Sequence, residues 1–187
     1  MKSLVAYFIT FLFGFFEVNA QRVEVSNTKS INTHVQMIYL NGSALFVKVI
    51  DVKNGSAEDL YSIINAWTIA TFNSAGDVVK KRVEDEVIQG VGAEPGIVLY
   101  TFPRVVASLR YLFTIEVENN KICFSMSDMN ILTDETKYTL EEYLFDKKGH
   151  EIHDKQNSRI KSHATKIANA LITSLQVFLI ENSVDSN

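Results

Sequence analysis

The sequence predicts an α+β fold with an antiparallel β-sheet, and three observations support this. Two apolar, β-branched runs, residues 34–39 and 44–52, flank Asn41-Gly42, the strongest short hairpin signal. Apolar and polar residues alternate over residues 110–117, as they do in a half-buried strand. Residues 153–182 contain neither Gly nor Pro and carry apolar residues at helical spacing. The predicted order is a strand pair, a helix, about four further strands and a long C-terminal helix.

Length and composition predict one globular domain. The chain has 187 residues, of which 47% are apolar and 21% charged, so it is neither disordered nor long enough for two full domains. Its formal net charge is −4 at pH 7. A surface that binds nucleic acid needs an excess of basic residues, so we expect no nucleic-acid partner.

The first 20 residues are typical of a secretory signal peptide. Lys2 supplies the positive start, residues 4–16 are apolar, and small residues end the segment at Ala20. The alternative is a retained membrane anchor, for which the apolar run is too short. We therefore predict cleavage after Ala20 and export to the periplasm, cell envelope or extracellular space. We expect a flexible segment over residues 21–33, one domain over residues 34–183, and no transmembrane segment in the mature chain.

The first predicted helix, over residues 57–72, follows a capping sequence. Ser56 can cap the helix and Asp59 can return the bond, as in a capping box. Trp67 lies within a stripe of apolar residues at helical spacing. An exposed Trp67 would indicate a binding surface, but the spacing favours a place in the core.

Two motifs in the middle of the chain have functional interpretations that we discount. Residues 80–82 are basic, which alone would suggest contact with nucleic acid or an acidic membrane surface, and residues 84–86 are acidic, which alone would suggest an acid/base pair or a calcium site. Together the opposite charges predict a solvated hairpin. Gly90 and Gly92, followed by Gly96, are similar to a phosphate-binding loop. However, a β-rich run follows them where such a loop needs a helix. We expect a bulge, or a bend close to a crossing helix.

The next predicted hairpin joins residues 110–117 to residues 122–126 through Asn119-Asn120. Cys123, the only cysteine, points to the strand face opposite that of its apolar neighbours. With no histidine near it in sequence, an inert packed thiol is favoured over a nucleophile. A short helix is predicted over residues 139–144.

The C-terminal helix is predicted to bury a wide apolar face. The apolar residues are Ile160, Ala164, Ile167, Leu171, Ile172, Leu175, Phe178, Leu179 and Ile180. The polar face of its second half lacks the basic residues of a membrane-surface helix. The remaining alternatives are packing on the sheet or on another chain, which would make a homo-oligomer.

The chain resembles the secreted Bacteroidetes domain of unknown function with a TATA-binding-protein-like (TBP-like) fold, over roughly residues 44–127. The motifs that carry the resemblance are Ser56-Ala57-Glu58-Asp59-Leu60-Tyr61 with Trp67, Ile88-Gln89-Gly90-Val91-Gly92, Arg110-Tyr111-Leu112-Phe113-Thr114-Ile115-Glu116-Val117 and Glu118-Asn119-Asn120-Lys121. The resemblance implies an antiparallel sheet with helices packed on one face. It implies no catalytic residue, and a fold name does not imply DNA binding.

One cluster has metal-ligating side chains: His150, Glu151, His153 and Asp154, with His163 later in the chain. On a helix, His150 and His153 would share a face. His163 follows His153 by ten residues and would lie well away from that face. We therefore predict no catalytic, cofactor-binding or metal residue and no cofactor.

The sequence identifies no ligand and no reaction. It favours a noncatalytic envelope module that binds a protein, a peptide or a small apolar ligand through the sheet face or a sheet edge. The alternative is an envelope-polymer hydrolase whose catalytic groups meet only in three dimensions, for which the candidates are His150, His153 and the acids at residues 84–86. Self-association through the C-terminal helix is a third interpretation.

Overall fold

The computed structural model describes residues 22–25, 34–72, 78–99 and 105–182. The predicted signal peptide lies outside these residues. Residues 22–25, which we expected to belong to a flexible segment, instead form a strand. This strand pairs in parallel with residues 49–52, a long-range contact that the local sequence does not encode.

The described residues form one eight-stranded sheet with three helices. The strands are β1 (Arg22–Val25), β2 (Met37–Leu40), β3 (Ser43–Val52), β4 (Val79–Val83), β5 (Val87–Leu99), β6 (Val105–Glu118), β7 (Lys121–Leu132) and β8 (Lys137–Thr139). The helices are α1 (Ala57–Thr71), α2 (Leu140–Leu144) and α3 (Lys155–Asn182). The α+β fold, the antiparallel sheet and the long C-terminal helix are confirmed.

The strand order is β1-β3-β7-β6-β5-β4, with β2 also paired to β3 and β8 to β7. Every pair is antiparallel except β1 with β3. The first hairpin is as predicted: Asn41 and Gly42 have φ of 52° and 84°, the positive values that a tight two-residue turn needs.

Helix α1 begins where the sequence predicts, and the β6–β7 turn holds its start. The backbone N–H of Asp59 donates to Ser56 Oγ at 3.1 Å, which satisfies one free donor of the first turn. Asn120 Oδ1 accepts from the Gly55 N–H at 3.0 Å, and Asn119 Oδ1 accepts from the Ala57 N–H at 2.9 Å. The two turn asparagines therefore anchor the helix to the sheet.

The core lies between the sheet and the helices. Its largest fully buried side chains include Trp67, Phe46, Phe113 and Phe124. Trp67 is 1% exposed, and its Nε1 donates to Ser174 Oγ of α3 at 3.1 Å, so its predicted core position is confirmed. Burial of apolar surface at this interface is the main stabilising contribution.

Gly90 and Gly92 of β5 make room for aromatic side chains of the neighbouring strand, and not for the crossing helix that we expected. Gly90 pairs with Phe113 and Gly92 with Tyr111, and the aromatic rings of β6 occupy the space where a Cβ would be. The predicted bulge occurs farther along, at Gly96, where φ is +110° and the register of β5 shifts. Residues on both sides of this bulge belong to one 13-residue strand.

Helix α3 covers the range that its periodicity predicts. Asp154 precedes it, and the Asp154 carboxylate accepts from the Asn157 N–H at 2.7 Å. Most of the predicted apolar face is buried, but Ile180 is 43% exposed, so the buried face is narrower at the C-terminal end than expected. In the described part of the chain no helix is long and apolar enough to cross a membrane.

Candidate functional site

Strand β7 has a gap in its pairing on one edge. Strand β6 pairs with one edge of β7. Strands β3 and β8 pair with different parts of the opposite edge. The β3 pairing ends at Met126, and the β8 pairing begins at Asn130. Residues 127–129 therefore have no described strand partner on this edge.

A bulge at the same place changes the register between β6 and β7. Arg110 pairs with Asn130, whereas Leu112 pairs with Ser127, so β7 carries an additional residue here. Asp128 has φ of 47°, a left-handed conformation that re-aims its side chain. The bulge and the gap together form a break in the sheet surface.

An open depression of about 570 Å³ lies at this break. Its volume is in the range of roughly 300–1,000 Å³ that is typical of ligand pockets. Val91 and Leu112 contribute apolar surface, and Ser43 and Thr139 contribute hydroxyl groups. The depression therefore combines apolar area with polar groups that can orient a ligand.

Four charged side chains line the depression: Arg110, Asp128, Lys137 and Glu141. Glu141 is already committed, because its Oε1 accepts from the Ala44 N–H at 2.7 Å. Within the described residues, no hydrogen bond or ion pair involves the side chains of Arg110, Asp128 or Lys137. Two cations and one carboxylate therefore have no partner in the described structure, and Glu141 keeps one oxygen that is not engaged.

The depression opens on the sheet face opposite α1 and α3, which we call the open face. Residues of this face include Val47, Leu112, Thr114 and Ser125, all half-buried. Cys123 also lies on this face, as its alternation predicted. Burial raises the pKa of the Cys123 thiol to about 12, with Glu116 and Glu118 adding to the shift, which is the opposite of what a nucleophile needs.

The histidine cluster lies elsewhere, and His150 and Glu151 have local partners, whereas His163 Nε2 is buried without a hydrogen-bond partner in the described residues. His150 Nδ1 is 3.3 Å from Asp146 Oδ2, and the Glu151 carboxylate bonds to Lys161 Nζ at 2.6 Å. His163 lies near Gly96, at the bulge of β5. No group of three or more potential ligands among the described His, Cys, Asp and Glu residues could hold a metal ion.

The acidic residues 84–86 form the turn between β4 and β5. Asp85 has φ of 59°, and the Glu86 N–H donates to the Val83 carbonyl at 3.1 Å. The segment is a hairpin turn, as its charge pattern predicted. None of these acids and none of the histidines lines the depression, so the residues considered for a hydrolase are not brought together there.

Residues 46–131 match the family model described as a domain of unknown function (DUF4468) with TBP-like fold. The predicted resemblance is confirmed. A DUF4468 family protein from Bacteroides ovatus is 17% identical, with a TM-score of 0.63, covering 86% of this chain and 99% of that one. A TBP-like protein from Parabacteroides distasonis is 13% identical, with a TM-score of 0.56, covering 74% and 96%. These similarities establish the fold, and no curated protein sequence matches the chain.

The DUF4468 match includes part of the depression. Arg110, Leu112 and Asp128 lie inside the matched range, whereas Lys137 and Glu141 follow its end. Sequence analysis placed Arg110 only within a strand motif and did not single out Asp128. The available signal was the pair Ser127-Asp128, where two successive polar residues interrupt the alternation of β7.

Proposed function

We propose that this chain is a noncatalytic, exported envelope module that binds a peptide or protein partner through its open face, at the depression. The observation that carries the proposal is the set of unpaired charges, Arg110, Asp128 and Lys137, around the apolar surface of Leu112. Charged groups beside apolar surface cost free energy when water is displaced, unless a partner satisfies them. A surface that combines both is suited to a ligand that carries charges of its own.

The charges of the depression favour a peptide over a small apolar ligand. A peptide carries charged and polar groups of its own, which can pair with Arg110, Asp128 and Lys137. A purely apolar ligand would leave the three charges unpaired.

Export is part of the proposal, and the residues before Gln21 support it by their signal-peptide pattern. We expect the mature protein to begin at Gln21 and to be recovered from the periplasm, the envelope or the medium. N-terminal sequencing of the protein purified from its native cells measures this. A mature chain that still begins at Met1 would contradict export by cleavage.

The binding role is tested by crosslinking in native envelopes, followed by capture of the protein. We expect a defined partner with the wild-type chain and its loss with Leu112→Glu, which places a charge in the depression. The matched control is Ile69→Glu, because Ile69 is 54% exposed on α1 and lies outside the depression. Thermal melting checks that each variant folds, and Ser127→Glu at the gap serves as a second variant.

A partner that is captured equally by the wild type and both open-face variants would contradict a role for the open face. Recovery of the free monomer alone, under several growth conditions, would contradict the binding role itself.

A further inference from the structure

We propose that the depression recognises a short peptide by its two free ends, with Arg110 binding the carboxylate and Asp128 binding the ammonium group. This inference rests on the proposed binding role and names the chemical class of its ligand. Its basis is the placement of opposite, unpaired charges in one depression.

Arg110 is suited to the carboxylate end. It is exposed on β6 and lines the depression. The planar guanidinium can donate two parallel hydrogen bonds to one carboxylate, an arrangement that a lysine cannot match. Lys137 of β8 provides a second cation on the side of the depression formed by β8, which strengthens the attraction for a negative group.

Asp128 is suited to the ammonium end. The bulge places it in the depression with a left-handed backbone, and its backbone carbonyl is occupied by Asn130 Nδ2 at 2.6 Å. Glu141 is less suited, because it already accepts the Ala44 N–H. Glu141 keeps its other oxygen, but Asp128 has no side-chain hydrogen bond in the described part of the chain and is the better placed of the two carboxylates.

The alternatives fit these charges less well. A ligand with anionic groups only would meet the Asp128 carboxylate, and like charges at close range repel. A ligand with cationic groups only would meet Arg110 and Lys137. A ligand that carries one charge of each sign satisfies Arg110 and Asp128 together, and the two free ends of a short peptide provide both charges.

The test is isothermal titration calorimetry of the mature protein with trialanine, its C-terminal amide and its N-acetyl form. We expect trialanine to bind, and each blocked form to bind roughly tenfold or more weakly, because each loses one charge-assisted contact. Arg110→Gln should bind trialanine and its amide with similar, weakened affinity. Asp128→Asn should bind trialanine and its N-acetyl form with similar, weakened affinity.

The matched controls are Lys166→Gln and Glu84→Gln, which remove one charge of each sign at exposed positions outside the depression. Both controls should retain the wild-type preference for free ends. Thermal melting confirms that all four variants are folded.

Equal binding of the free and blocked peptides would overturn the inference, and so would no binding of trialanine at millimolar concentration. The wild-type preference surviving in both Arg110→Gln and Asp128→Asn would overturn it as well. If crosslinked partner capture still depends on Leu112 in any of these cases, the binding role stands and only the assignment of the ligand fails.

Discussion

Replacing Lys48 with methionine should stabilise the protein. Lys48 lies on β3 between Phe46 and Ile50, on the strand face that packs toward the helices, and is 0% exposed. Its Nζ is buried without a hydrogen-bond partner in the described structure. Methionine keeps a flexible chain of similar length and removes the polar end.

The expected gain follows from the cost of an unsatisfied buried group. That cost is about 1–3 kcal/mol for a polar group and higher for a charged one. We expect Lys48→Met to raise the free energy of unfolding by about 2 kcal/mol at pH 7. For a domain of this size, such a gain corresponds to an increase in Tm of roughly 4–8 °C.

The gain should depend on pH, because burial lowers the pKa of Lys48 from its ordinary value of 10.5. Between the lowered pKa and 10.5, the unfolded chain binds more protons at this residue than the folded chain does. The stability contribution of Lys48 therefore rises with pH through this window. The advantage of Lys48→Met should be largest at pH 7 and should shrink as the pH approaches 10.5.

Urea unfolding at pH 7 and pH 10 measures both effects. The control is Lys53→Met, since Lys53 is exposed just after β3 and its replacement should change stability by less than about 0.5 kcal/mol. A Lys48→Met variant that is less stable than the wild type would refute the reasoning, as would a gain that is the same at both pH values.

Three further predictions concern other parts of the molecule. Gly90→Ala should destabilise the protein by about 1–3 kcal/mol, because the new Cβ would lie 2.7 Å from Phe113 Cε1; urea unfolding should show that Phe113→Leu reduces this loss. The Cys123 thiol should react with a thiol reagent in the native protein only slowly at pH 8, and quickly in urea, because its pKa is raised to about 12; rapid native labelling would contradict this. Self-association through α3 is the third interpretation: if it occurs, Ile180→Glu should abolish the larger mass that light scattering detects at high concentration, and a strictly monomeric wild type would exclude it.

The elements with local signals were predictable. Asn41-Gly42 encodes its turn through two residues that tolerate positive φ, and Ser56 with Asp59 encodes the start of α1. The stripe that contains Trp67 needed only helical spacing to be assigned to the core. Even Lys48 carried a signal, because strict alternation places it on the same face as Phe46 and Ile50.

The candidate site was not predictable, because strand register creates it. The depression lies where the β3 pairing stops and the β8 pairing starts, with three residues of β7 between them, and no local pattern encodes that spacing. Arg110 and Asp128 come together only through the shifted β6–β7 pairing. The same limit explains Gly90, whose neighbour is an aromatic ring 23 positions later in the chain rather than a helix.

The two asparagines of the β6–β7 turn make the start of α1 dependent on a distant hairpin. The bonds that they accept, from the Gly55 and Ala57 N–H groups, join positions 65 and 62 residues apart. Both N–H groups are satisfied only while the hairpin turn is in place, although Ser56 caps the helix locally. We therefore expect the amide protons of Gly55 and Ala57 to exchange with solvent when the hairpin opens, so that hydrogen exchange at the start of α1 reports on the far end of the sheet.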